Sequence, residues 1–113
     1  MTQVSPQRMQ HAAAAASRLM AAMANDNRLM ILCQLTEGEK TVGQLAALIG
    51  LSQSALSQHL ARLRADKLVR TRRQAQTIWY SLHGNDARRV IDLLFSMYCV
   101  PNRKSAGART VAA

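Results

Sequence analysis

Gly50-Leu51-Ser52 constrains the fold of this chain more than any other short segment in it. Before it, Leu45, Leu48 and Ile49 recur at helical spacing, and after it Leu56, Leu60 and Leu63 do the same. Two short amphipathic helices separated by three residues cannot continue as one rod, because glycine supplies the backbone freedom that a tight turn requires. Thr41 with Gln44 three residues later fits a capping box, so the first of the pair spans Val42 to Ile49 with Leu45, Leu48 and Ile49 inward. Ser52 caps the second, which runs from Gln53 to about Asp66 on a buried stripe of Leu56, Leu60 and Leu63. Its outward face is then Gln53, Ser54, Ser57, Gln58 and Ala61, with Arg62 flanking.

The remaining segments arrange themselves around this pair. The alanine run Ala12–Ala16, with Leu19, Met20 and Met23 behind it, predicts a helix from about Ser5 to Met23. Asn25 caps another, with Asp26 in its first turn and an apolar stripe of Leu29, Leu32 and Cys33, ending near Glu37-Gly38. Leu68 to Arg73 and Gln76 to Leu82 alternate with period two and are rich in strand formers, so they form a hairpin with a basic, polar tip. Asn85 caps a last helix, Asp86 to about Cys99, which Pro101 stops. The apolar positions of that helix cover more than one face, the pattern of a helix buried by its own domain and by a partner chain. The fold class is therefore mainly α with a small β-hairpin, in the order α-α-α-α-β-β-α. Residues 1–4 read as a flexible N-terminus, 5–101 as one folded domain, and 102–113 as a flexible basic tail.

Charge narrows the function. The 113 residues carry a formal charge of +9, and the stretch from Arg62 to Arg89 holds eight basic against two acidic residues, or +6 of it. A polyanion is the expected partner. Aromatic residues are 4%, too few for a sheet that stacks single-stranded bases. No basic start with an apolar run marks an export signal, and the longest charge-free stretch, Thr41 to Ala61, is too polar for a bilayer, so a cytoplasmic protein with no membrane partner is expected. Two helices joined by a short glycine-containing turn form a helix-turn-helix, whose second helix enters the major groove of double-stranded DNA. Glutamine pairs bidentately with adenine and serine serves either hydrogen-bonding sense. Ser54, Ser57 and Gln58 are thus the base-reading candidates, with Gln53 beside the backbone, while Arg70, Arg72 and Arg73 track phosphates or enter a narrow minor groove. His59, Trp79 and Tyr80 have blander readings as packing residues. No phosphate loop, metal-ligand motif or nucleophile-base arrangement marks an enzyme, and no cofactor is expected.

The segment Gly50-Leu51-Ser52-Gln53-Ser54-Ala55-Leu56-Ser57-Gln58-His59-Leu60, then Leu63-Arg64 and Leu68-Val69, resembles the DNA-reading helix of ArsR/SmtB winged-helix repressors. Arg72-Arg73-Gln74-Ala75-Gln76-Thr77-Ile78-Trp79-Tyr80 resembles their wing. The resemblance covers about Ala16 to Pro101. It implies a dimeric winged helix-turn-helix, a homodimer built from the first and last helices. Such a dimer binds a pseudo-palindromic operator, with recognition helices about 34 Å apart.

Cys33 and Cys99 are the only cysteines, 66 residues apart. Each alone reads as an inert, small apolar residue or an incidental one. Together, Arg28-Leu29-Met30-Ile31-Leu32-Cys33 and Leu94-Phe95-Ser96-Met97-Tyr98-Cys99 resemble the two cysteine segments of the family's persulfide-responsive, SqrR/BigR/HlyU-like subgroup. That resemblance implies that reactive sulfur species join Cys33 and Cys99 through a polysulfide or disulfide bridge and so weaken operator binding. A general thiol-redox response to peroxide, or a metal or arsenical held by the two thiols, are the alternatives. The family's metal sites are not matched: the third helix has Val42-Gly43-Gln44-Leu45-Ala46 where a Cys-x-Cys pair is needed, and the last helix has Asp86 and Asp92 but no histidine. No metal site is therefore assigned.

Overall fold

The computed structural model describes residues 4–99. In chain order it contains α1 (Pro6–Met23), α2 (Asp26–Leu35), β1 (Lys40–Thr41), α3 (Val42–Ile49), α4 (Gln53–Ala65), β2 (Val69–Gln74), β3 (Thr77–Leu82) and α5 (Asp86–Tyr98). Helix starts follow local chemistry. Asn25 Oδ1 accepts the N–H of Asn27 at 2.9 Å and of Arg28 at 3.1 Å. Thr41 and Gln44 bond reciprocally at 3.1 and 3.0 Å, which closes the expected capping box. Ser52 Oγ accepts the N–H of Ala55 at 3.1 Å. Ser5, read from the sequence as the first helical residue, is the cap of α1 instead, and Pro6 occupies the first helical position.

One expected cap does not form. Asn85 has φ −110° and ψ −9°, and its side chain makes no capping bond. A capping side chain reaches back only from an extended backbone, and Asn85 is already turned into the helical region.

The core lies where α2, α3, α4, the sheet and the first half of α5 meet. Ile31, Leu32, Leu35, Leu45, Leu56, Leu60, Leu63 and Val69 are fully buried there. The α4 stripe is thus as the sequence pattern predicts. In α3 the inward positions are Leu45 and Ala46, whereas Leu48 is 54% exposed. Leu48 turns away beside Gln44, Ala47 and Trp79, which corrects the expectation that it faces inward. Met20 is likewise exposed and does not extend a buried stripe. Only Ala22 and Met23 of α1 are buried, with Leu19 partly buried against the core, because α1 meets the domain along its C-terminal turns.

The hairpin is part of a three-stranded antiparallel sheet in the order β1-β3-β2. Lys40 pairs with Tyr80 and Thr41 with Trp79, so the short β1 adds an edge that a two-residue segment has no periodicity to announce. The β2–β3 turn is Ala75-Gln76, with Ala75 at φ +57°. A Schellman arrangement ends α4: the N–H of Leu68 reaches Leu63 O and that of Lys67 reaches Arg64 O, both at 2.9 Å. Lys67 takes φ +62° there, the left-handed position that glycine usually fills. Among the described residues no helix is long and apolar enough to cross a membrane. The expected flexible tail, 102–113, and the helix stop at Pro101 lie outside the described residues, as does most of the expected N-terminal segment.

Candidate nucleic-acid interface and thiol pair

Burial of Leu56, Leu60 and Leu63 decides what α4 presents to solvent. With these three on the core, Gln53, Ser54, Ser57 and Gln58 are left facing outward in its first two turns. The face is uncharged and rich in donors and acceptors, the chemistry that base edges in a major groove require. Gln53 leans back: its Nε2 lies 3.7 Å from where a Cβ on Gly43 would stand, so it sits beside the start of α3. Arg62, in the last turn, donates from Nε to Asp66 Oδ2 at 2.9 Å and is half exposed. His59 is half-buried, in keeping with a packing role.

The wing arginines are not equivalent. Residues directly opposite in an antiparallel pair share a face of the sheet. Val69↔Leu82, Thr71↔Tyr80 and Arg73↔Ile78 form one face, and Arg70↔Ser81, Arg72↔Trp79 and Gln74↔Thr77 form the other. Val69 and Leu82 are buried and Tyr80 packs on the core, so the first face is the one turned to α4. Arg73 therefore sits on the recognition-helix side at the far end of the wing, exposed like Arg70.

Arg72 is tied down on the opposite face. Its Nε donates to Glu39 Oε1 at 2.8 Å and its Nη2 to Glu39 Oε2 at 2.6 Å. Its Nη1 donates to Gln74 Oε1 at 3.2 Å, and the guanidinium carbon lies 5.6 Å from the Trp79 ring centre. The hydrogen-bonded pair holds the Glu39 carboxyl below its ordinary range and the Arg72 guanidinium above its own. Glu39 is absent from the sequence reading. Its only signal is an acid between Gly38 and Lys40, two positions after Glu37, and its partner lies 33 positions away.

The structure brings the segments that carry the two cysteines together. Cys33 lies on α2, half-buried against the core, and Cys99 follows α5, exposed. Burial pushes the Cys33 thiol up, and the charge of a nearby Cys99 thiolate, then that of Glu37, pushes it the same way. Both thiols are free. Arginines brace α2 at each end. Arg28 Nε donates to Ala22 O at 2.6 Å and so joins α2 to the end of α1. Arg88 Nη1 donates to Thr36 O at 3.2 Å and joins the end of α2 to α5. Among the described residues no three His, Cys, Asp or Glu side chains gather where they could hold a metal ion.

Residues 25–71 match the family model described as "Bacterial regulatory protein, arsR family". The chain is similar to the transcriptional activator HlyU of Vibrio cholerae, at 50% identity over 86% of this chain and 90% of that protein. It is also similar to the nodulation protein NolR of Rhizobium meliloti, at 51% identity over 74% of this chain and 68% of that one. The solved structure of reduced Vibrio cholerae HlyU superposes with a TM-score of 0.79, covering 82% of this chain and 98% of that one. That of the homodimeric winged helix-turn-helix DNA-binding domain Mb0332 from Mycobacterium bovis superposes with a TM-score of 0.72. It is 30% identical and covers 86% of this chain and 89% of that one.

Proposed function

From a chain that belongs to the arsR family, and is therefore a winged-helix DNA-binding transcriptional regulator, we propose a homodimeric repressor that releases its operator when reactive sulfur species link Cys33 to Cys99. The observation that carries the DNA-reading assignment is the outward, neutral face of Gln53, Ser54, Ser57 and Gln58, flanked by Arg62 and the wing. Ser54, Ser57 and Gln58 read base edges, and Arg70 and Arg73 contact phosphates. The dimer is supported by α1 and α5. Along the first two-thirds of α1 every side chain is exposed, and Leu93, Phe95, Met97 and Tyr98 expose large apolar surfaces on α5. A second copy covering them would also set two α4 helices at a fixed spacing on a pseudo-palindromic site.

The sensing reading is supported by the meeting of α2 and α5, the segments that carry Cys33 and Cys99. Cys99 is the exposed thiol and takes sulfur first. Its thiolate attacks the outer sulfur of a persulfide RSSH, which gives Cys99–SSH and releases RSH. Cys33 then joins as a trisulfide. A second RSSH accepts the two electrons and two protons and leaves as RSH and hydrogen sulfide. The bridge ties α2 to α5, and hence the DNA-reading half to the dimer layer, so the two α4 helices lose their spacing on the operator.

Two measurements test the proposal. Gln58→Ala should cut the preference for operator over random DNA by ~1–3 kcal/mol, and Arg73→Ala should weaken both kinds of binding alike. Unchanged discrimination in Gln58→Ala would remove the base-reading assignment. Mass spectrometry after persulfide treatment should find Cys33 and Cys99 joined through added sulfur, with DNA released. A Cys33→Ser protein that lets go of DNA at the same dose would defeat the sensing mechanism.

A further inference from the structure

We propose that Glu39 and Arg72 form a clamp that sets the angle of the wing relative to the helix-turn-helix, and that Arg72 is a positioning residue, not a phosphate contact. The argument begins with the donors of Arg72. Of the five N–H groups on a guanidinium, two are spent on Glu39 in a bidentate arrangement and a third on Gln74. A phosphate would have to displace a carboxylate held at 2.6–2.8 Å. Such planar bidentate pairs are the strong kind of charge-assisted bond.

Location points the same way. Arg72 lies on the sheet face away from α4, over Trp79, while Arg73 lies on the face that α4 shares. Glu39 immediately precedes β1, whose Thr41 both pairs with Trp79 and caps α3. The clamp thus runs from the first helix of the helix-turn-helix, through β1, to the middle of the hairpin. It restrains a two-stranded ribbon that is otherwise attached by the short β1 and by its root. The pair also carries no net charge, so it contributes little to the release of counterions when DNA binds.

The inference rests on the DNA-reading assignment above, and its test separates the two. The purified full-length protein is titrated with operator DNA over a range of salt concentrations. If the wild type shows no preference for operator over random DNA, the DNA-reading assignment fails. Given that preference, Glu39→Gln decides the role of Arg72. A clamp predicts operator binding about three- to tenfold weaker, with the slope of log K against log salt unchanged. Arg72→Ala should match it in both respects, and the double variant should be no worse than either single one by more than about twofold. Arg73→Ala, by contrast, should flatten the slope by about 0.9. Trp79, the only tryptophan, supplies a readout independent of DNA. Its emission should shift in Glu39→Gln and Arg72→Ala, and not in Arg73→Ala. Tighter binding or a steeper slope in Glu39→Gln would mean that Glu39 competes with phosphate for Arg72, and would overturn the proposal. A flattened slope in Arg72→Ala would do so too.

Discussion

The segment from α2 to β3 and the layer formed by α1 and α5 solve the same problem differently. The first closes its own core: Leu45, Leu56, Leu60 and Leu63 have no exposed surface, and side-chain bonds cap α2, α3 and α4. The second leaves its apolar surface open. Phe95 is 48% and Tyr98 64% exposed on α5, and α1 buries only Ala22 and Met23. A helix with so little tertiary contact is marginal in water on its own. The difference teaches that the segment from α2 to β3 closes its core within one chain, while the outer layer leaves large apolar side chains open.

The strongest way to break this contrast is a cavity in the closed half. Leu60→Ala should cost ~2–5 kcal/mol in urea unfolding and abolish operator binding at moderate temperature, because the site is fully enclosed and cannot collapse easily. A loss below ~1 kcal/mol would mean that the core is not where the burial pattern puts it. Next in size is Leu93→Glu in the open layer. It should leave helix content unchanged and raise the dimer dissociation constant about a hundredfold, read by sedimentation, since a buried unpaired carboxylate costs several kcal/mol. Sedimentation indistinguishable from the wild type would close the contrast from the other side.

Cys33 sits on the border and sharpens the comparison with a smaller effect. Its folded pKa lies above the ordinary thiol value, so the neutral form is favoured. The associated stability is therefore fully present below the unfolded pKa and is lost as pH rises through the folded one. Alkylation of Cys33 at neutral pH should be slower than that of free cysteine, chiefly because burial disfavours its thiolate, and Cys99→Ser should speed it in alkaline buffer, where a neighbouring thiolate can form. No change in Cys99→Ser would separate the two thiols. The smallest effect belongs to Lys67→Gly, which should stabilise the chain by on the order of 0.5–1 kcal/mol by relieving φ +62° at the end of α4. Equal stability in thermal melts would show that the Schellman turn tolerates lysine without strain.

Local chemistry made much of this protein legible from its residues alone. The Thr41–Gln44 box, the Asn25 and Ser52 caps, the Gly50 turn and the leucine period of α4 all act within four positions, and each appears in the fold as expected. The α4 stripe also settled which polar side chains face outward, because burying one side of a helix exposes the other. Errors arose where a position depended on a distant neighbour. Leu48 has the same composition signal as Leu45, yet it lies at the edge of the fold beside Trp79 and is half exposed. Asn85 has the right side chain for a cap on the wrong backbone.

What the sequence by itself determined is the set of helices, the turn between α3 and α4, and the hydrogen-bonding face that α4 offers. Those follow from spacings of three and four and from short-range bonds. Only the tertiary structure decided that Glu39 claims Arg72 and that the α2 and α5 segments carrying Cys33 and Cys99 meet. Each of these joins residues tens of positions apart, and side-chain spacing carries no information at that range.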